Sequence, residues 1–386
     1  MLKQSEAPIS SKISEQTFLD LCMWLSDDIT YSQSQLDRLL NEDHYLSLIE
    51  LANTYWLIGH LNKQLKKHNI WVLLPRELVA YLTELDRLYL NRSLAIKQEI
   101  IAVSSMLKEV TPKIVLLKGA ATLFNGLANP ISTRYMTDID ILVSEETLGN
   151  CLSKIKCNGY ILDKDELSIE TNDFHHAPPA IREDGPCYIE LHRRPLVNSL
   201  TNILDKVEAI ETSVPLELAK GLVVQQMHPT QQIIHTIAHS ELQDRGYAER
   251  HIDLRQLLNF YLVTQTFGQE ICWKTVEERY KSTSHLHILN SVLYQANKLF
   301  GLTVPSLKID KISAQKQLQH CLQSYSQSEP EYSKRILIQR VLKGYSRNII
   351  INIYGEKGHF PIFRGRLKHF RRHTRMLLKG KVDTLK

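Results

Sequence analysis

No apolar run in the chain approaches the ~18 residues that a membrane-spanning helix needs; residues 113–117 and 347–354 are the nearest and fall far short. The opening residues, Met1-Leu2-Lys3-Gln4-Ser5-Glu6, are polar and predict no secretory leader. Cysteine is sparse: Cys22, Cys151, Cys157, Cys187, Cys272 and Cys321 are scattered and include no C-x-x-C pair. That spacing argues against a structural zinc site and predicts reduced, mostly buried thiols in a cytoplasmic protein. Internal repeats and low-complexity segments are absent, which excludes solenoids and disordered tracts.

What remains is an ordinary globular composition, 43% hydrophobic and 23% charged. A length of 386 residues exceeds one small core and predicts two or three domains. The net charge of +5 is unevenly spread, because residues 331–386 carry 15 Lys/Arg against 3 Asp/Glu. The tail is therefore +12 and the remainder −7. The basic character belongs to the tail and says little about the rest.

Residues 1–110 read as a helical region, with apolar positions near the 3.6 period at Leu36, Leu39, Leu40 and at Leu78, Leu82, Leu85. Leu74-Pro75 marks a helix start, followed over residues 77–110 by one long helix or two. Few residues here suggest chemistry, and a packing domain or a cleft wall is the plain expectation. The pattern changes at Thr111-Pro112, and residues 111–214 read as a compact α/β unit. Residues 113–117 form a short β-branched run, a buried strand, and residues 119–124 a helix. A second strand spans 138–143. Ser144 then caps a helix with Leu148, Cys151, Leu152 and Ile155 on one face, stopped by Asn158-Gly159. Asp184-Gly185 between residues 180–183 and 187–192 reads as a hairpin. From Pro215 to about residue 330 the chain reads as helical again, with Pro229 at a first helical position and Gly301 closing the last stripe.

Asp138 and Asp140 lie two apart on the second strand and so share a face. Two adjacent carboxylates repel, and a cation between them relieves the repulsion. In the later hairpin strand Tyr188, Glu190 and His192 share one face. If that strand lies beside the first, Glu190 completes a three-carboxylate site suited to Mg²⁺. The plain alternative is a D-x-D at a strand end with no metal. Upstream, Lys118-Gly119 stands at a strand-to-helix turn, where glycine admits a phosphate and lysine adds charge, or where a turn glycine precedes a solvated lysine. Arg134 either clamps phosphate or pairs with one of the aspartates. His192 orients the carboxylate or touches substrate, and His175 and His176 line the hairpin mouth. His235 and His239 have a metal-binding i, i+4 spacing but no third ligand in register, so packing is the ordinary reading, and an active-site role opposite the acidic strands is the other.

Taken together, residues 114–121 (Ile-Val-Leu-Leu-Lys-Gly-Ala-Ala), 134–143 (Arg-Tyr-Met-Thr-Asp-Ile-Asp-Ile-Leu-Val) and 189–192 (Ile-Glu-Leu-His) resemble the uncharacterised nucleotidyltransferase family of the DNA polymerase beta-like superfamily. His239 and residues 253–258 resemble that family's helical segment after the core. The resemblance runs from Pro75 to Leu258. It implies an α+β fold in which a small mixed β-sheet nucleotidyltransferase core is flanked by N-terminal and C-terminal helical regions. It implies a two-Mg²⁺ site with Asp138, Asp140 and Glu190 as metal ligands and catalytic residues. Lys118 and Gly119 would bind phosphate, and with Arg134 and His192 they make up the expected nucleotide-binding set. The reaction would move a nucleoside monophosphate from an NTP, with ATP as the expectation, to an unidentified acceptor: a small molecule, sugar, peptide or protein. The chain departs from the superfamily at large, whose usual turn is Gly-Ser where Lys118-Gly119 stands here.

The reading from another class is a non-catalytic nucleotide- or partner-binding protein. In the tail, residues 364–379 alternate Arg and Lys with Leu367, Phe370, Leu377 and Leu378. That pattern suits a cationic helix on an acidic membrane surface, an acidic partner or nucleic acid, or one docked on the protein's own body.

Overall fold

The computed structural model describes residues 14–28, 30–162, 175–304 and 309–326. The basic tail, and every expectation placed on it, lies outside the described residues. The chain opens with α1 (Glu15–Leu25), α2 (Gln33–Leu40), α3 (Glu42–Thr54) and α4 (Ile58–Lys67). Three of these start where a side chain satisfies an orphan backbone donor: Ser14, Ser32 and Asn41 accept from the N–H groups of Thr17, Gln35 and His44. Beyond Pro75, α5 (Arg76–Leu107) is one uninterrupted helix of 32 residues. Its buried stripe serves two cores. Leu78, Leu82 and Tyr89 pack with the helices before it, while Ile96, Ile100, Val103 and Leu107 pack beneath a sheet.

That sheet is built from β1 (Val115–Leu116), β2 (Asp138–Leu142), β3 (Ile161–Leu162), β4 (Ala180–Ile181), β5 (Tyr188–His192), β6 (Val214–Ala219) and β7 (Leu222–Gln226). Between the strands lie the short α6 (Lys118–Thr122), α7 (Glu145–Cys157) and α8 (Lys206–Glu211). The seven strands run in the order β3-β4-β5-β2-β1-β7-β6. The sheet is mixed: β2 is parallel to β5 and antiparallel to β1, and β1 is parallel to β7. The expected hairpin pairs Ala180 with Ile189, and α7 buries the expected Leu148, Cys151, Leu152 and Ile155 before Gly159 ends it at φ +85°.

One expectation is corrected. The chain is not helical from Pro215, because Val214–Ala219 and Leu222–Gln226 pair antiparallel and extend the sheet. The period there is two: Leu216 and Leu218 are buried while Pro215, Glu217 and Ala219 face out. Gly221, at φ +80°, makes the intervening turn.

The remaining elements are α9 (Pro229–Ile237), a π-helical segment Ala238–Gln243, α10 (Gly246–Glu249), α11 (Leu254–Phe267), α12 (Trp273–Ser282), α13 (Leu286–Phe300) and α14 (Lys311–Ser326). Phe18, Trp24 and Leu61 from the first helices share a single core with Ile234, Leu254, Phe260 and Leu293 from the last ones. Hydroxyls of Tyr55 and Tyr325, 2.7 Å apart, tie the two ends of this helical body. The sheet therefore has two different faces. Leu116, Ile139, Ile141, Ile189 and Leu191 join the core formed with the second half of α5 and with α7. Val115, Leu117 and Leu142 join the core of the helical body. Among the described residues no helix is long and apolar enough to cross a membrane, and all six cysteines are free thiols.

The π-helical segment buries Glu241, whose carboxylate accepts from Ser240 Oγ at 3.3 Å. Burial pushes its pKa up to about 8. The folded chain thus holds a proton that the unfolded chain releases at ordinary carboxylate pH. Stability is unaffected below that range and falls as pH rises towards 8. Glu241→Gln removes the penalty. It should raise the unfolding midpoint near pH 8, by on the order of a few kcal/mol in stability, and leave it nearly unchanged near pH 4. A shift of equal size at both pH values in thermal melts would contradict this account of Glu241.

Candidate active site

The acidic side chains lie on the face that meets the helical body. Pairing of β2 with β5 sets Asp140 opposite Glu190, Asp138 opposite Tyr188 and Leu142 opposite His192. Residues opposite one another in a ladder project to the same side, so Asp138, Asp140, Glu190 and His192 form one polar patch. Ligand atoms of Asp140, Glu190 and His192 all lie within 4.8 Å of one another. Asp138 stands outside this trio, one step along the same face towards the start of β2.

Asp140 is 2% exposed, and a carboxylate at that depth needs strong partners. It has two, both on Oδ1: Lys118 Nζ donates at 2.8 Å and His192 Nε2 at 2.8 Å. Burial opposes the charge of Asp140, but Lys118 and His192 outweigh it and hold the carboxyl well below the usual range. The same balance acts on its partners. Burial works against the Lys118 ammonium and Asp140 more than restores it, so its pKa rises. His192 is fully buried, yet its bonds to Asp140 and Glu190 raise its pKa. Glu190 Oε2 lies 3.6 Å from His192 Nε2; its carboxyl is destabilised by burial and brought below the ordinary value by His192. Asp138 moves the other way, because burial and then the charge of Asp140 both raise it. The two aspartates of the D-x-D thus differ in acidity, since the cations sit on the inner one.

Lys118 reaches Asp140 from a backbone conformation that is unusual for a side-chain-bearing residue, φ +46°. It sits directly after β1 and opens α6, so the chain turns sharply at the edge of the acidic patch. Gly119 follows for a packing reason that spacing does not reveal. A Cβ there would lie 3.0 Å from Arg134 Nε, from Arg134 Nη2 and from Met136 Sδ. The Arg134 guanidinium passes over Gly119 and, among the described residues, forms no ion pair with either aspartate. Its Nε is buried without a hydrogen-bond partner. Burial, followed by repulsion from Arg255, pushes the Arg134 pKa down to about 10. Arg134 is held in place through its main chain, whose carbonyl accepts from Ser93 Oγ at 3.1 Å.

The histidines divide. His175 and His176 pack their rings 5.2 and 5.3 Å from that of His192. Burial first, and then His192 and His176, push His175 far down, which keeps it neutral. His235 is buried, with Nε2 2.9 Å from the Pro195 carbonyl oxygen, and burial pushes it down to about 3. His239 turns to Asp244, at 2.9 Å. Among the described residues His235 and His239 have no hydrogen bond to the acidic carboxylates, but both line the cleft that Lys118 and Arg134 also line.

Between the carboxyl ends of β1 and β7 and the helices α9 and α11 lies a cleft lined by Lys118, Arg134, Gln226, His235, His239 and Asn259 among others. A second cleft shares Arg134 and Asn259 and adds Arg255, Trp56 and Tyr135. Trp56 stacks on Tyr135 with ring centroids 4.2 Å apart. The first of these clefts adjoins the acidic patch through Lys118. Sequence reasoning did not single out Arg255 for this position, although a signal exists. Arg255 stands in the first turn of α11, just after the cap Asp253, where the helix dipole disfavours a cation.

Residues 41–301 match the family model described as uncharacterised nucleotidyltransferase. No curated protein matches the chain. The chain belongs to the uncharacterised nucleotidyltransferase family.

Proposed function

We propose that this family member is a Mg²⁺-dependent enzyme that moves a nucleoside monophosphate from an NTP, with ATP as the expected donor, to an acceptor hydroxyl or phosphate. An acceptor oxygen bonds to the α-phosphorus while the bond from that phosphorus to the bridging oxygen breaks, and pyrophosphate leaves. The observation that carries this reading is the pairing of Asp140 with Glu190 on adjacent parallel strands, with Asp138 on the same face.

The donor set fits hard divalent cations, because three carboxylates on one face supply oxygen ligands. By this reading Asp138, Asp140 and Glu190 are the metal ligands. When bound, two Mg²⁺ ions would lower the pKa of the attacking hydroxyl and neutralise the triphosphate and the departing pyrophosphate. The chain's own residues hold the surroundings. His192 fixes the Asp140 carboxylate by its hydrogen bond. Lys118, at the border of patch and cleft, offers an ammonium to a phosphate. Gly119 leaves room for Arg134 to do the same. The free thiols support a reducing compartment such as the cytoplasm, and an acidic partner or membrane surface for the tail remains part of the proposal.

Incubation with NTP labelled at either the α or the γ position tests the reaction. Label should reach the acceptor from the α position only. Transfer of γ label alone would replace nucleotidyl with phosphoryl transfer. One observation favours the non-catalytic alternative, namely that Lys118 and His192 both occupy Oδ1 of Asp140. Under that alternative, nucleotide binding would survive Asp138→Ala and Asp140→Ala unchanged.

A further inference from the structure

We propose that Arg134 and Arg255 form an anion subsite, bordering the Lys118-Gly119 turn, that takes a phosphate group of a substrate in the clefts between the sheet and α11. Naming the anion as phosphate rests on the nucleotidyl-transfer reading; the need for an anion does not.

Four observations converge. Arg134 is half-buried, its Nε is buried and has no hydrogen-bond partner, and among the described residues neither Arg134 nor Arg255 forms an ion pair. Asp138, Asp140 and Asp253 act on Arg134 only at a distance; a partly desolvated cation with a buried orphan donor is costly, and Arg255 nearby adds repulsion. Both arginines line one cleft and Arg134 lines both, so the charge is directed at space rather than at protein. Arg255 also sits at the unfavourable end of the α11 dipole.

The nearby carboxylates are committed elsewhere. Asp140 carries Lys118 and His192. Asp253 accepts the Gln256 N–H at 3.1 Å as the cap of α11. Asp138 acts on Arg134 and Arg255 only at longer range. A phosphate supplies what is missing, since its oxygens accept from two guanidinium forks at once. Asn259 lines both clefts, and Gln256 lines the one that holds Arg134 and Lys118; the Asn259 amide suits a remaining oxygen.

The test is calorimetric titration of the full chain with inorganic pyrophosphate, at low ionic strength and without divalent cation. The wild type should bind, and Arg255→Gln should weaken binding at least ~10-fold. Arg255→Lys should recover part of the loss, and Asp138→Asn should tighten binding by removing a nearby negative charge. The last result separates the subsite from the metal reading, under which Asp138→Asn impairs transfer. If no nucleotide is ever transferred, pyrophosphate binding that depends on Arg255 still upholds the subsite. Repeating the titration with saturating non-hydrolysable NTP identifies the source of the phosphate. Competition assigns the subsite to the donor, and retained binding assigns it to a phosphorylated acceptor. Failure of the wild type to bind pyrophosphate at millimolar concentration, or equal binding by folded Arg255→Gln, overturns the proposal even if transfer proceeds.

Discussion

Asp140→Asn should slow nucleotidyl transfer by about 10³-fold or more, since several kcal/mol of transition-state stabilisation depend on this carboxylate, while the chain stays folded. Asparagine keeps the volume and an oxygen that accepts from Lys118 and His192, now 2.8 Å from Oδ1. The bonds persist in weaker form and the negative charge is lost. Glu190 remains opposite on β5, so the patch retains part of its charge and its shape. The effect should fall mainly on kcat, with circular dichroism confirming the fold. Asp138→Asn should also be damaging to transfer, because Asp138 shares the face. A variant with normal structure and undiminished transfer would remove Asp140 from the chemistry.

Lys118→Met should lower stability by up to about 3–5 kcal/mol, the range for a buried charge that loses its partner, reduced by the His192 bond that stays on Asp140. Asp140 is buried and Lys118, 22 residues away in sequence, is its counter-ion. The loss should depend on pH in a defined direction. Asp140 has a depressed pKa, so its contribution is present above the ordinary carboxylate range and disappears as pH falls through the depressed value. Lys118 has a raised pKa, so its contribution is present below the ordinary lysine range and disappears as pH rises through the raised value. The gap between wild type and Lys118→Met should therefore be widest around neutrality and should close in strong acid. Lys118→Gly separates charge from backbone strain. It loses the same ammonium but relieves the φ of +46°, by roughly 1 kcal/mol, and should be less damaging than methionine. Mg²⁺ should restore more stability to Lys118→Met than to the wild type, because the variant leaves Asp140 without its ammonium. Equal melting of Lys118→Met and wild type at neutral pH would show the ion pair to be of no consequence.

The acidic patch was legible because strand alternation is a strong local rule. Asp138, Asp140, Glu190 and His192 could each be given a face before their neighbours were known. Their partners were not legible. The 2.8 Å contact of Lys118 with Asp140 depends on an unusual φ, and the choice of glycine at 119 depends on Arg134 passing above it. Arg255 reaches the site through the packing of α11, more than a hundred residues from β2, and only its odd place at a helix start hinted at a role. The strands β6 and β7 were missed because short Leu/Val alternation beside Lys220-Gly221 is weaker than the helical periodicity that follows. The shared core of the first and last helices is a long-range fact with no local signature.

The most direct test is a crystal structure of the full chain soaked with Mg²⁺ and a non-hydrolysable NTP. The account predicts metal density bridged by Asp138, Asp140 and Glu190, with the α-phosphorus beside it and Lys118 turned from Asp140 towards a phosphate. Nucleotide bound elsewhere, with the Lys118–Asp140 bond intact and no metal on the β2–β5 face, would contradict it.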